Sequence, residues 1–145
     1  MIVRALTDAD RSAWDALYQA YAQFYDVPQT PQMRATVWDW INDPTNEVNA
    51  FVADDDGTLV GIAHYRAFMR PLAAATGLFL DDLFVSPTAR GTGAAAALIE
   101  AVRGQAEAQG HSVVRWITAA DNARARGLYD KVAQAGDWVT YDIPV

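Results

Sequence analysis

Val85-Ser86-Pro87-Thr88-Ala89-Arg90-Gly91-Thr92-Gly93-Ala94-Ala95 is the stretch on which the reading of this chain turns. It follows the apolar run Gly77 to Val85, which has the composition of a strand, and opens into alanine-rich sequence with the composition of a helix. Ser86-Pro87 ends the strand. The start of a helix offers N–H groups with no carbonyl one turn back, together with the positive end of the helix dipole, and so favours an anion. Glycines there let the backbone close on a diphosphate with no Cβ in the way. Two commoner phosphate loops are ruled out. No Lys-Ser/Thr pair follows, and Gly91-x-Gly93 meets Ala96 where a dinucleotide fingerprint carries its third glycine. Taken alone, the loop also fits a plain turn before an alanine-rich helix.

Working outward, the pattern predicts one unit without repeat or linker. Ile2 to Leu6 reads as a strand. Thr7 is a candidate N-cap, with Asp8 and Asp10 in the first turn, of a helix running to about Tyr25. On it Trp14, Leu17, Tyr18 and Tyr21 recur at helical spacing. Thr30 and Pro31 open a second helix that ends near Asn42. Val48 to Ala53 and Thr58 to Phe68 flank the turn Asp54-Asp55-Asp56-Gly57 as a hairpin. Beyond the loop come a helix from Gly93 to about Gln109 stopped by Gly110, a strand from Ser112 to Thr118, a helix from Asn122 to about Ala133, and a last strand from Trp138 to Ile143. This order predicts an α/β layered single domain, residues 1–145, with a mixed sheet.

Composition narrows the partners. A formal net charge of -7 does not favour nucleic acid, whose phosphates need a basic surface, and it suits a cationic substrate at encounter as well as simple solubility. The chain has no cysteine, which excludes disulfides, thiolate zinc sites and a thiol nucleophile. His64 and His111 lack metal-ligand spacing, so no metal is expected. No signal peptide and no apolar run of about 18 residues is visible, so a cytoplasmic protein without membrane contact is expected.

Three motifs together resemble the GCN5-related N-acetyltransferases (GNAT), nearest by pattern to their small polyamine, amino-acid and Hpa2-like members. Arg90-x-x-Gly93-x-Ala95 is similar to the family's Q/R-x-x-G-x-G/A loop. Leu80-Asp81-Asp82-Leu83-Phe84-Val85-Ser86-Pro87 resembles the strand before it, and Asn122-x-x-Ala125-x-x-x-Tyr129 the later asparagine–tyrosine helix. Two features depart from the pattern: Ala95 replaces the commoner glycine, and Ala135-Gly136-Asp137-Trp138 stands where a glycine–aromatic pair is usual. The resemblance implies a mostly antiparallel central sheet, flanked by helices, with two splayed strands that hold acetyl-CoA. It implies transfer of the acetyl group to a primary amine of a small molecule or peptide. The alternative is a silent acetyl-CoA sensor of the same fold.

The resemblance also assigns residues. Arg90, Gly91, Thr92, Gly93, Ala94 and Ala95 hold the pyrophosphate, with Asn122 counted on the cofactor side. The backbone of Leu83, Phe84 and Val85 pairs with the pantetheine arm and offers an oxyanion-type donor. Tyr129 is the acid at the departing sulfur, against the plain reading of a core tyrosine. Asp81 is the substrate-side carboxylate. On a regular strand Asp81 and Asp82 face opposite sides. Tyr21, Phe24, Tyr25 and Asp26 are candidates for the acceptor wall, and Arg124 and Arg126 for the adenosine phosphates, though a core stripe and a solvated helix face are the plainer readings. The aromatic last strand is a candidate homodimer edge.

Overall fold

Strand β1, Ile2–Ala5, begins a five-stranded sheet whose spatial order follows the chain, and the computed structural model describes all of residues 1–145. Two helices come next, α1 (Arg11–Phe24) and α2 (Pro31–Asn42). They are followed by β2 (Asn49–Asp55), β3 (Thr58–Arg70) and β4 (Ala75–Val85), then α3 (Ala94–Ala108), β5 (Val114–Arg115) and α4 (Ala123–Val132). The first three strand pairs are antiparallel and β4–β5 is parallel, giving the mixed sheet that the pattern predicts, mostly antiparallel as the resemblance implies. No helix is long and apolar enough to cross a membrane.

Local chemistry explains the helix starts. Thr30 Oγ1 accepts from the Met33 N–H at 3.2 Å, and Pro31 takes the first helical position, where it has no donor to lose. Before α1 the chain makes one 3-10 turn, Asp8–Asp10, so the α-helix starts at Arg11, later than Thr7 suggests. Thr7 caps that turn, and Asp10, three residues on, closes a capping box by accepting from the Thr7 N–H at 2.7 Å. Arg4 grips Asp10 and Asp54 together, and its guanidinium holds the Asp10 carboxyl down at about 2. That pair fixes α1 to the sheet at its first turn.

Each sheet face has its own core. Leu98, Ile99 and Val102 of α3 pack with Val60, Tyr65, Leu78 and Leu80. Trp14 and Leu17 of α1 and Trp38 of α2 pack with Val52, Ile62 and Phe84 on the other face. Gly61 lets α3 pack closely on β3: an added Cβ would lie 3.0 Å from Leu98 Cδ1 and 3.1 Å from the Phe84 carbonyl, so those neighbours would have to give way.

Three expectations are corrected. The first concerns β4. His64 pairs with Asp82 and Tyr65 with Leu80, so Asp81 is an extra residue, a β-bulge. Leu78 and Leu80 face α3, but beyond the bulge Phe84 faces α1. Asp81 binds Arg66 and Asp82 binds His64, two side chains one alternation apart on β3. The two carboxylates therefore share the α1 face instead of opposing each other. Second, Ser112–Thr118 pairs only at Val114 and Arg115, because β5 diverges from β4 and leaves the Leu80–Val85 half of β4 without a neighbour on that side. Third, Trp138–Ile143 is not a strand. The segment pairs with nothing in its own chain and is exposed throughout, with Trp138 at 95% and Tyr141 at 90%.

Candidate active site

The gap opened by the divergence of β4 and β5 is a cavity of about 310 Å³, walled by the end of α1, β4, the glycine loop, the start of α3 and one face of α4. Of the residues predicted for the site, Leu83, Phe84, Val85, Arg90, Gly91, Gly93, Ala94, Ala95 and Tyr129 line it. Phe24, Tyr25, Ala89, Ala96, Arg124, Ala125 and Leu128 complete the wall. Thr92, Asn122 and Asp81 do not line it.

The loop is built to expose amides. Gly91 and Gly93 have φ of +80° and +86°, the left-handed region, and a Cβ on either would meet no protein atom within 4 Å. The space before them is therefore open for a ligand. The first helical bond of α3 runs from the Ala97 N–H to the Gly93 carbonyl at 3.0 Å. The N–H groups of Ala94, Ala95 and Ala96 precede it and project from the helix end, where the dipole is positive. Thr92 turns away, its hydroxyl donating to the Ala89 carbonyl, and serves the turn. Arg90 lays its guanidinium over the Phe24 ring, 4.8 Å from the centroid, tying the loop to α1.

The opposite wall is the free edge of β4. The Ser86 N–H donates to the Val60 carbonyl on β3 at 2.8 Å. By two-residue alternation Phe84 also turns its backbone to β3, and Leu83 and Val85 turn theirs toward the gap. Tyr129 stands on α4 with its ring edge-on to Trp116 at 5.4 Å. Its hydroxyl makes no hydrogen bond within the protein and is not sealed from solvent. Burial pushes the phenol above its ordinary pKa, so it is protonated at neutral pH. Asn122 donates to Thr118 Oγ1 at 3.2 Å and to Tyr25 Oη at 3.4 Å, so it ties the start of α4 to the end of α1.

Beyond Phe84 the α1 face carries the carboxylate pair. Asp81 lies 3.0 Å from Arg66, yet burial outweighs that partner and raises its pKa. Tyr21 packs against Phe84, 5.6 Å between centroids, and its phenol is raised first by burial and then by Asp82, Tyr25, Tyr129 and Asp81. Tyr21 thus sits between the acidic pair and the cavity. The network Trp14–His64–Asp82–Tyr18 has no warning in the sequence. Its members come from three separate segments, α1, β3 and β4, and the strand register with the Asp81 bulge brings His64 and Asp82 together beneath α1.

These parts fit a ligand with a diphosphate at one end and an extended amide-bearing arm: amides at the helix start for the first, and an unpaired strand edge for the second. The comparisons agree. Residues 14–133 match the Acetyltransferase (GNAT) family. The chain is 32% identical over 143 residues to D-amino-acid N-acetyltransferase HPA3 of Saccharomyces cerevisiae, covering 97% of this chain and 89% of the relative. A ribosomal-protein-alanine N-acetyltransferase from Brucella melitensis superposes with a TM-score of 0.82 at 26% identity, covering 100% of both chains. The aminoglycoside N-acetyltransferase AAC(6')-Iy in complex with CoA shares the fold, with a TM-score of 0.85 at 18% identity over 99% of this chain and 93% of that one. This chain belongs to the GNAT family, as an acetyl-CoA-dependent acyltransferase.

Proposed function

We propose that the protein transfers the acetyl group to the primary amine of a small-molecule or peptide acceptor. The observation that carries this reading is the meeting, in one cavity, of free loop amides, the unpaired edge of β4 and an unpartnered phenol. Acetyl-CoA, when bound, supplies the thioester. The amides of Gly91, Gly93 and Ala94 to Ala96 hold its pyrophosphate. A backbone N–H of the β4 edge at Leu83 or Val85 polarises the thioester carbonyl where negative charge develops. As the amine nitrogen bonds the carbonyl carbon, the C–S bond breaks and Tyr129 Oη gives its proton to sulfur. The proton that the amine sheds goes to Asp81, directly or through water. Both groups then recover their starting state by exchange with solvent.

For the acceptor, the -7 net charge favours a cation at encounter. The yeast relative is named for D-amino acids, small molecules with such an amine. Incubation with acetyl-CoA and a panel of amino acids, polyamines, aminoglycosides and short peptides tests the reading. The expected outcome is free thiol released in step with an acetylated product by mass spectrometry. Tight acetyl-CoA binding with thiol release independent of every amine would instead support a sensor.

A further inference from the structure

Asp81 and Asp82 share one face of the sheet, but their surroundings differ. Asp81 spends its carboxylate on Arg66 at 3.0 and 3.3 Å. Asp82 accepts twice on one oxygen, Oδ2: from Tyr18 Oη at 2.8 Å and from His64 Nδ1 at 2.8 Å. His64 is 1% exposed, and its other nitrogen, Nε2, lies 2.9 Å from Trp14 Nε1. An indole N–H can only donate, so Nε2 must accept and the imidazole proton sits on Nδ1, pointing at Asp82. A second proton on Nε2 would set N–H against N–H inside the core. His64 therefore donates its Nδ1–H to the Asp82 carboxylate and fixes its orientation.

The consequence falls on Asp82 Oδ1. It has no partner in the protein, and no buried polar atom lacks one, so Oδ1 opens to solvent. It belongs to the residue two places before Phe84 on the same face, roughly 7 Å of strand away. Tyr21 bridges the interval, 6.2 Å from the Tyr18 ring and 5.6 Å from Phe84.

We propose that Asp82 Oδ1 anchors the ammonium group of the acceptor, and that His64, its proton placed by Trp14, is the residue that positions this anchor. The proposal rests on the amine-acetylation reading and sharpens it: the acceptor is recognised as a cation at a carboxylate of fixed orientation, and its ammonium gives one proton to solvent before the neutral nitrogen attacks, the second proton going to Asp81 as the amide forms. Asp81 is left free of that duty. Steady-state kinetics with the best amine of the panel test it, alongside calorimetry with acetyl-CoA and ¹⁵N NMR of the imidazole. Asp82→Asn is expected to raise the acceptor KM about tenfold or more, with kcat changed by less than about threefold and acetyl-CoA affinity unchanged. His64→Leu should raise KM in the same way, whereas His64→Asn, whose amide N–H can replace Nδ1–H, should restore it to within about threefold. Tyr18→Phe keeps the carboxylate and tests the anchor again if His64→Leu does not fold; its acceptor KM should rise about threefold. At neutral pH the NMR should show Nδ1 protonated and Nε2 bare. An unchanged acceptor KM in folded Asp82→Asn, or a proton found on Nε2, overturns the proposal while leaving amine acetylation standing. A wild-type protein that acetylates no amine overturns both.

Discussion

Tyr129 is a residue whose surroundings make its own test clean. Its ring packs on Trp116 and its hydroxyl has no partner in the protein, so Tyr129→Phe removes no internal hydrogen bond. Melting temperature and acetyl-CoA affinity are expected to stay near wild type while kcat falls by about 10²–10⁴, the usual range for a lost general acid. Unchanged turnover in a stable variant would return Tyr129 to a packing role. Asp81 makes a different forecast, because burial raises its pKa despite Arg66. A base works only when ionised. Activity should therefore fall as pH drops through the Asp81 pKa, which is raised from its ordinary value, and acetyl-CoA binding should not follow. Asp81→Asn should lower kcat and abolish that limb of the pH profile. A limb that survives the substitution belongs to another group.

Helix α3 carries two glycines that the structure uses in opposite ways. Gly93 sits in the left-handed region before the first helical bond, beside open space; Gly104 lies inside the helix, also beside open space but with no such φ. Gly93→Ala must hold a Cβ at φ +86°, a strain of about 1–2 kcal/mol, and it places that Cβ where phosphate approaches. Acetyl-CoA affinity should fall about tenfold. Gly104→Ala should stabilise the fold by about 0.5–1 kcal/mol and leave affinity alone. Equal losses of affinity in the two variants would mean that the loop amides do not hold the ligand. Loop and helices were legible in the sequence because their signals are local: Thr30-Pro31 at a start, Gly110 at a stop, glycines between a strand and an alanine-rich run. The bulge was not legible. Two adjacent aspartates say nothing of which one is skipped, since the pairing of His64 with Asp82 decides it from another strand. The short β5 was hidden for the same reason: Ser112–Thr118 has strand composition throughout, and only its divergence from β4 stops the pairing at Arg115.

At the scale of the whole molecule, segment 138–145 leaves large apolar side chains uncovered. Its residues alternate as a strand does, with Val139, Tyr141, Ile143 and Val145 on one side and Trp138, Thr140 and Asp142 on the other. Val139, Tyr141 and Ile143 are 75%, 90% and 88% exposed, and the segment's backbone has no strand partner. Burying side chains of this size is worth roughly 1.5–3 kcal/mol each, so a surface that leaves three of them in water has a strong drive to cover them. The sheet offers a place, since β5 pairs through two residues only and its outer edge is open. A second copy supplies the same segment and the same edge, and reciprocal pairing closes both at once. We therefore expect the protein to sediment as a dimer at micromolar concentration. Ile143→Asp, on the apolar side, should shift it to monomer, whereas Thr140→Lys, on the other side, should leave the dimer intact. Dissociation by both variants alike would mean that charge alone, not the apolar face, governs association. A wild-type monomer at every concentration would mean that the segment folds back on its own chain, which limited proteolysis at the exposed connection 133–137 would then report as protection.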